Sequence, residues 1–323
     1  MWKKSIAIVA VFMLSSGNLL AENAWPKQKP ITLIVGYPAG GSVDFVAHTV
    51  GEALGKRLGA QVIVENSAGA GGTIGAQKVV SAAPDGYTLL LGSGSEVSIA
   101  RIYNAAIKYD GERDLAPIGL IGITPMVFVT NNKIKVKTID EAIALSKREP
   151  NVHTFASSGI GTPLHIAGEL INLKAGTTFR HVPYRGAAQM VQDVIGNNVD
   201  YGVFVLSSAL PHIRSGKMTA LGLTTAARSR AAPDIAPLAD SAKLKGYDMN
   251  VWFGLFGPAR LPAAMQATLN RELNETLKLP EVWKKLQDAG ISTEPGSSKA
   301  LVDFIRVETV KARSVVAQAV TGS

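Results

Sequence analysis

The chain has 323 residues, 46% of them apolar and 18% charged, with a formal net charge of +8 and no cysteine. The apolar share excludes an intrinsically disordered chain, and the length suits one large core or two modest ones. The absent thiols exclude disulfides, thiol catalysis and a cysteine-linked lipid anchor. Basic residues are scattered, with no basic helix and no interleaved aromatic platform, so the charge points to small anions rather than nucleic acid.

Met1-Trp2-Lys3-Lys4 is a basic start, Ser5 to Leu14 an apolar core, and Leu19-Leu20-Ala21 places a small residue before Glu22. This pattern predicts a cleaved secretory signal over residues 1–21, with an apolar core too short to span a bilayer. Export to the periplasm follows, and cleavage removes Lys3 and Lys4.

Ile31–Val35, Gln61–Val64, Thr88–Leu91 and Ile118–Ile123 read as strands buried on both faces. From Val43 the stripe Val43, Val46, Ala47, Val50, Leu54, Leu58 has the spacing of one helix face. A second set follows: strand Val152–Phe155, helix Pro163–Leu173, strand Thr178–Val182, helix Gly186–Ile195 and strand Val199–Leu206. Strands Met218–Thr224 and Val251–Phe256 come next, then helices Ala263–Leu277, Glu281–Ala289 and Ser297–Ala319. Strand–helix alternation predicts doubly wound α/β sheets. No linker divides the chain, so two lobes joined by two crossing stretches are expected, at Met126–Thr130 and around Tyr247–Val251. The lobes then cover 22–125 plus 249–323 and 126–248, with the C-terminal helices returning to the first.

Two glycine-rich turns carry the functional signal. Gly36-Tyr37-Pro38-Ala39-Gly40-Gly41-Ser42-Val43-Asp44 and Ser157-Ser158-Gly159-Ile160-Gly161-Thr162-Pro163-Leu164-His165 each lead from a strand into a helix. Each offers a capping hydroxyl, Ser42 or Thr162. Free N–H groups and the positive end of the macrodipole make such a terminus an anion site. Two of them, far apart in sequence, suggest two lobes closing on one anionic ligand. Candidate ligand-binding residues are Tyr37, Ala39, Gly41, Ser42, Asp44, Ser93, Ser157, Ser158, Gly161, Thr162 and His165. His165 and Glu169, four apart on one helix face, also read as a surface pair. Arg185 suits a bidentate carboxylate contact, a solvated side chain or a lobe-bridging ion pair.

Other motifs fail on spacing. Gly69, Gly71 and Gly75 miss the dinucleotide G-x-G-x-x-G pattern by one residue, and Gly55-Lys56-Arg57 lacks the hydroxyl residue of a P-loop. No G-x-S-x-G elbow occurs. His48, His153, His165, His181 and His212 show no metal-ligand spacing. Neither catalytic residues nor a metal or other cofactor are expected.

Several segments resemble one family in order: Pro30–Val35 leading to Gly40-Gly41 and Asp44; Val64-Glu65-Asn66; Gly69-Ala70-Gly71-Gly72; and Ala83-Pro84-Asp85-Gly86-Tyr87-Thr88-Leu89-Leu90. His165-Ile166-Ala167-Gly168-Glu169, His181-Val182-Pro183-Tyr184-Arg185-Gly186, Ala209–Ile213 and Trp252-Phe253-Gly254-Leu255 continue the match. Together they are similar to the Bug-type extracytoplasmic solute receptors of tripartite tricarboxylate transporters. The resemblance implies a two-lobed type II periplasmic-binding-protein fold closing on an organic carboxylate, which it passes to membrane permease subunits without chemistry. It implies that backbone groups near Ala39 and Gly41 and the loop from Ser157 to Thr162 hold the carboxylate. A monomer is expected, and a ligand sensor for a two-component system is the alternative. Where many members have Asp-Asn, this chain has Phe204-Val205 before Leu206-Ser207-Ser208-Ala209-Leu210-Pro211. That change disfavours an amino-acid ligand and leaves room for an apolar or aromatic body walled by Phe204 and Tyr37.

Overall fold

The computed structural model describes residues 25–321, so the expected signal peptide lies outside the described residues. The chain opens with β1 (Ile31–Val35), α1 (Ser42–Leu58), β2 (Val62–Asn66), α2 (Thr73–Val80) and β3 (Thr88–Ser93). The stripe from Val43 to Leu58 is the buried face of α1, and Gly59, at φ 64°, ends the helix in a left-handed cap. β1 pairs in parallel with both β2 and β3.

A π-helical turn, Ser95–Ile99, then leads through α3 (Ala100–Tyr103) and α4 (Gly111–Asp114) into β4 (Leu115–Thr130). Two separate strands are expected over this last stretch, yet it forms one 16-residue strand. Register shifts between Pro117 and Gly119 and between Leu120 and Gly122 absorb the interruptions that hide its length in the sequence.

The chain continues with α5 (Ile139–Arg148), β5 (Thr154–Ser157), α6 (Pro163–Ala175), β6 (Arg180–Pro183), α7 (Ala187–Ile195), β7 (Tyr201–Val205), α8 (Leu206–Arg214) and β8 (Thr219–Leu223). The expected strand Val199–Leu206 ends at Val205, because Leu206 opens α8. β9 (Asn250–Pro258), α9 (Ala263–Leu277), α10 (Pro280–Asp288), β10 (Ser292–Thr293) and α11 (Ser298–Thr321) complete the chain.

Two mixed sheets result, one per lobe, and β4 belongs to both. Its Leu115–Pro125 half pairs antiparallel with β9 in the sheet ordered β2-β1-β3-β9-β4. Its Met126–Thr130 half pairs with β7 and β8 in the sheet that continues through β5 and β6. The return runs beside it: Met249 N–H donates to the Thr224 carbonyl at 2.8 Å, and Asn250 is already in register with Pro125. α9 and α10 pack on α1, whereas α11 lies along β4 and also reaches α6. The C-terminal helix therefore contacts both lobes rather than returning to the first alone.

The core is mainly apolar, with Phe128, Phe155, Phe204, Tyr201 and Phe253 fully buried, and it also encloses polar groups such as Glu96, Ser93 and Asn131. Phe128 and Tyr201 stack across β4 and β7 with ring centroids 5.4 Å apart. Each such side chain contributes about 1.5–3 kcal/mol of burial. In both sheets the parallel strands deliver their βα loops to the crevice between the lobes, which is where ligands bind in open α/β sheets.

Candidate ligand-binding cavity

A cavity of about 210 Å³ lies between the lobes, below the ~300–1,000 Å³ usual for drug-sized ligands and suited to a small organic molecule. One side is the turn after β1, with Tyr37, Pro38, Ala39, Gly41, Ser42 and Val43; Ser93 at the end of β3 and Val251 of β9 join it. The other side is Ser158, Pro163 and Leu164, the run Arg185–Gln189, then Phe204, Val205 and Ser208. Of the expected site residues, Tyr37, Ala39, Gly41, Ser42, Ser93, Ser158 and Phe204 line this cavity, while Asp44, Ser157, Gly161, Thr162 and His165 do not.

Four helices start at the cavity. The cap of α1 is Gly41 in extended backbone, not Ser42, and no side chain bonds the first turn. Ser42 is the first residue inside the helix, and Asp44 folds back: its Oδ2 accepts the Gly40 N–H at 2.9 Å and its Oδ1 accepts Asn66 Nδ2 at 2.8 Å. The same amide donates to the Tyr37 carbonyl at 3.0 Å, so Asp44 braces the turn from behind. The left-handed residue here is Gly40, at φ 82°, and Gly41 is not one. The N–H groups of Ser42 and Val43 have no partner among the described residues, as expected at a helix start.

The second anion loop is largely self-satisfied. Thr162 caps α6 as expected, its hydroxyl oxygen accepting the His165 N–H at 3.3 Å and its O–H donating to the Gly159 carbonyl at 2.8 Å. Gly161 N–H donates to His165 Nδ1 at 3.2 Å, and Pro163 has no N–H to give. The start of α7 takes its place at the cavity: Gly186 is the cap, and Ala187, Ala188 and Gln189 of the first turn all face inward. α8 adds Ser208 just after its cap, Val205. The signal for α7 in the sequence is a lone Gly186 with no capping hydroxyl, which is why spacing alone does not single it out.

His165 and His181 stack beneath the second loop, with centroids 4.0 Å apart. Burial lowers the His165 pKa to about 4, and burial together with His165 lowers that of His181 to about 3. His165 is therefore neutral near pH 7, and its 3.7 Å approach to Glu169 is not the surface ion pair expected from the sequence. Ser157 Oγ lies 2.6 Å from His181 Nε2.

Among the described residues no acidic side chain lines the cavity, and Arg185 is its charged residue. Among the described residues Arg185 has no ion-pair partner, which disposes of the lobe-bridging alternative. A second cavity of about 380 Å³ adjoins the first through Tyr37, Ser158 and Arg185 and is bounded by Gly69–Thr73 and Tyr103. The glycines of that run answer to backbone geometry, with φ of 142° at Gly69, 64° at Gly71 and 94° at Gly72, and Gly36 and Gly75 beside it answer to packing, since a Cβ on Gly36 would lie 2.6 Å from the Gly72 backbone.

The sequence model of the family described as "Tripartite tricarboxylate transporter family receptor" matches residues 46–320. The chain belongs to this family. It is 32% identical over 317 residues to Protein BugT of Bordetella pertussis, covering 96% of each chain. Among solved structures it is similar to one described as a periplasmic transporter, at 31% identity and TM-score 0.86, covering 90% of this chain and 97% of that one. It is also similar to MatC from Rhodopseudomonas palustris, described with bound malate, at 27% identity and TM-score 0.85, covering 90% and 99% of the two chains. Members of this family are solute-binding receptors of the periplasm.

Proposed function

We propose that this receptor is exported through cleavage after Ala21, captures an organic carboxylate between lobes 22–125 plus 249–323 and 126–248, and delivers it as a monomer to membrane permease subunits. The observation that carries the reading is the convergence of Arg185 and the open starts of α1, α7 and α8 on one cavity that no acidic side chain among the described residues lines. Helix termini and a guanidinium each favour a carboxylate. Tyr37, Leu164, Phe204, Val205 and Val251 offer apolar wall for the body of the ligand. An amino acid would leave its ammonium without an acidic partner there, so a plain carboxylate fits better. The malate described in MatC supports this ligand class.

Turnover is not part of the reading. The Ser157–His181 contact has the geometry of a nucleophile and its base, but Ser157 is fully buried and its partner, with a pKa of about 3, is a poor base near neutral pH. A thermal-shift screen over mono-, di-, tri- and aromatic carboxylates tests the proposal, because a ligand that binds the folded form raises Tm by mass action. The expected result is a shift from at least one plain carboxylate and none from glutamate or aspartate. Shifts confined to amino acids would overturn the ligand class.

A further inference from the structure

Behind the cavity wall lies a carboxyl group that the binding reading does not use. Glu96 sits in the π-helical turn after β3 and is 2% exposed, and such turns are frequent at functional sites. Its Oε1 accepts the Ser93 N–H at 2.8 Å, and its Oε2 accepts the Ser93 hydroxyl proton at 2.7 Å. Ser95 N–H reaches the same Ser93 oxygen at 3.4 Å. Ser93 itself lines the cavity.

The groups facing Glu96 from the neighbouring elements are uncharged. Tyr37, on the turn after β1, donates to the Gly71 carbonyl at 3.1 Å, and Tyr109, ahead of α4, donates to the Glu96 carbonyl at 2.7 Å. Burial and the nearby Glu96 charge raise the pKa of both phenols, so both keep their protons. Gly72 closes the remaining side, where a Cβ would lie 2.9 Å from Glu96 Oε2.

We propose that Glu96 is a positioning residue that sets the hydrogen-bonding polarity of the Ser93 hydroxyl, so that a ligand carboxylate seated against Ser93 is held together with one proton on Glu96. While Glu96 is ionised, the Ser93 proton is committed to it, and the serine presents only a lone pair to the cavity. A carboxylate there meets an acceptor and, behind it, a second negative charge. When Glu96 takes a proton from water it becomes the donor to Ser93 Oγ, and the Ser93 proton turns to the ligand. Burial places this exchange near neutrality, with the Glu96 pKa raised to about 7. The proposal rests on the reading of the cavity as the carboxylate site and adds that capture is linked to proton uptake.

Two measurements test it, one of them free of ligand. In the unliganded protein, carbon NMR of labelled glutamate carboxyls, with Glu96 assigned through Glu96→Gln, gives a midpoint near 7. Ser93→Ala removes a donor to the ionised form and raises that midpoint by about one to two pH units. A midpoint in the ordinary glutamate range, or one that Ser93→Ala leaves in place, overturns the coupling. In calorimetry with malate as the probe, the wild-type Kd weakens about tenfold per pH unit above 7, with uptake of close to one proton per malate. Glu96→Gln, whose amide donates to Ser93 Oγ at every pH, binds malate tightly with no such slope. Malate affinity that is independent of pH in the wild type, or an unchanged slope in Glu96→Gln, overturns the proton linkage. Absence of any malate heat beside an intact Glu96–Ser93 titration counts against the carboxylate reading of the cavity and not against the coupling.

Discussion

Tyr103, on the short helix after β3, meets the ring of His165, on α6 of the other lobe, edge to face with centroids 5.3 Å apart. A Cβ added at Gly161 would lie 3.3 Å from Tyr103 Cβ, so the two lobes touch closely here. A second contact covers the cavity: a Cβ on Gly186 would come 3.2 Å from Pro38 Cγ. Both contacts join the two lobes beside the cavity, so each one is expected to favour the arrangement in which the lobes are together.

Tyr103→Ala is expected to weaken ligand affinity without touching the cavity. An aromatic pair contributes about 0.5–1.5 kcal/mol beyond its burial, which corresponds to roughly a 2- to 12-fold rise in Kd. Small-angle scattering on the liganded variant should show a larger radius of gyration than wild type. Unchanged affinity and radius would remove this contact from the closure.

Arg185→Ala should act through charge. Loss of a charge-assisted hydrogen bond costs about 1.5–3 kcal/mol, a rise in Kd of roughly 10- to 150-fold, with Tm of the unliganded protein close to wild type because Arg185 is exposed and has no ion-pair partner among the described residues. Calorimetry showing wild-type affinity would place the ligand away from Arg185.

Asp44→Asn is expected to destabilise the unliganded protein by about 1–3 kcal/mol, since the new amide nitrogen must face either the Gly40 N–H or Asn66 Nδ2, both donors. Urea denaturation measures this. A variant as stable as wild type would show that the brace behind the Tyr37–Gly41 turn is dispensable.

Stability should respond to pH in two opposed ways. Glu96 has a folded pKa of about 7, above its unfolded value, so its contribution is fully present below about pH 4 and is lost as pH rises through 7. The loss amounts to roughly 3 kcal/mol and is absent in Glu96→Gln. His165 and His181 have folded pKa values of about 4 and about 3, below the unfolded value. Their contribution is present above about pH 6.5 and is lost as pH falls through those values, at up to about 1.4 kcal/mol per pH unit per proton. Urea denaturation from pH 4 to 8 should find a shallower acid loss in His181→Phe and a shallower alkaline loss in Glu96→Gln. Identical profiles for wild type and both variants would contradict these assignments.

Much of the architecture is legible in the residues themselves. β1 and α9 match their expected spans because one is a buried apolar run and the other a clean helical pattern. β4 is less legible, since Pro117 sits at a register shift inside it and Pro125 sits where it passes from one sheet to the other. α8 is hidden because an apolar strand runs straight into it and Pro211 lies in its interior. α5 escapes the apolar pattern although Thr138 caps it by accepting the Glu141 N–H, while the Glu141 carboxylate reaches back to the Lys137 N–H. At the cavity, glycine-and-hydroxyl turns point to the first loop, but they cannot show that the Thr162 loop satisfies itself while the barer Gly186 turn leaves its N–H groups free. Nor does any periodicity mark Glu96, whose surroundings come from four separate stretches of chain.

The most direct test of the central claim is a crystal structure with the carboxylate that gives the largest thermal shift. The account predicts the ligand between the two sheets, with a carboxylate oxygen within hydrogen-bond distance of the N–H groups of Ser42 or Val43 and its body against Phe204. A ligand held elsewhere, for instance in the cavity beside Gly69–Thr73 with the first cavity empty, would contradict it.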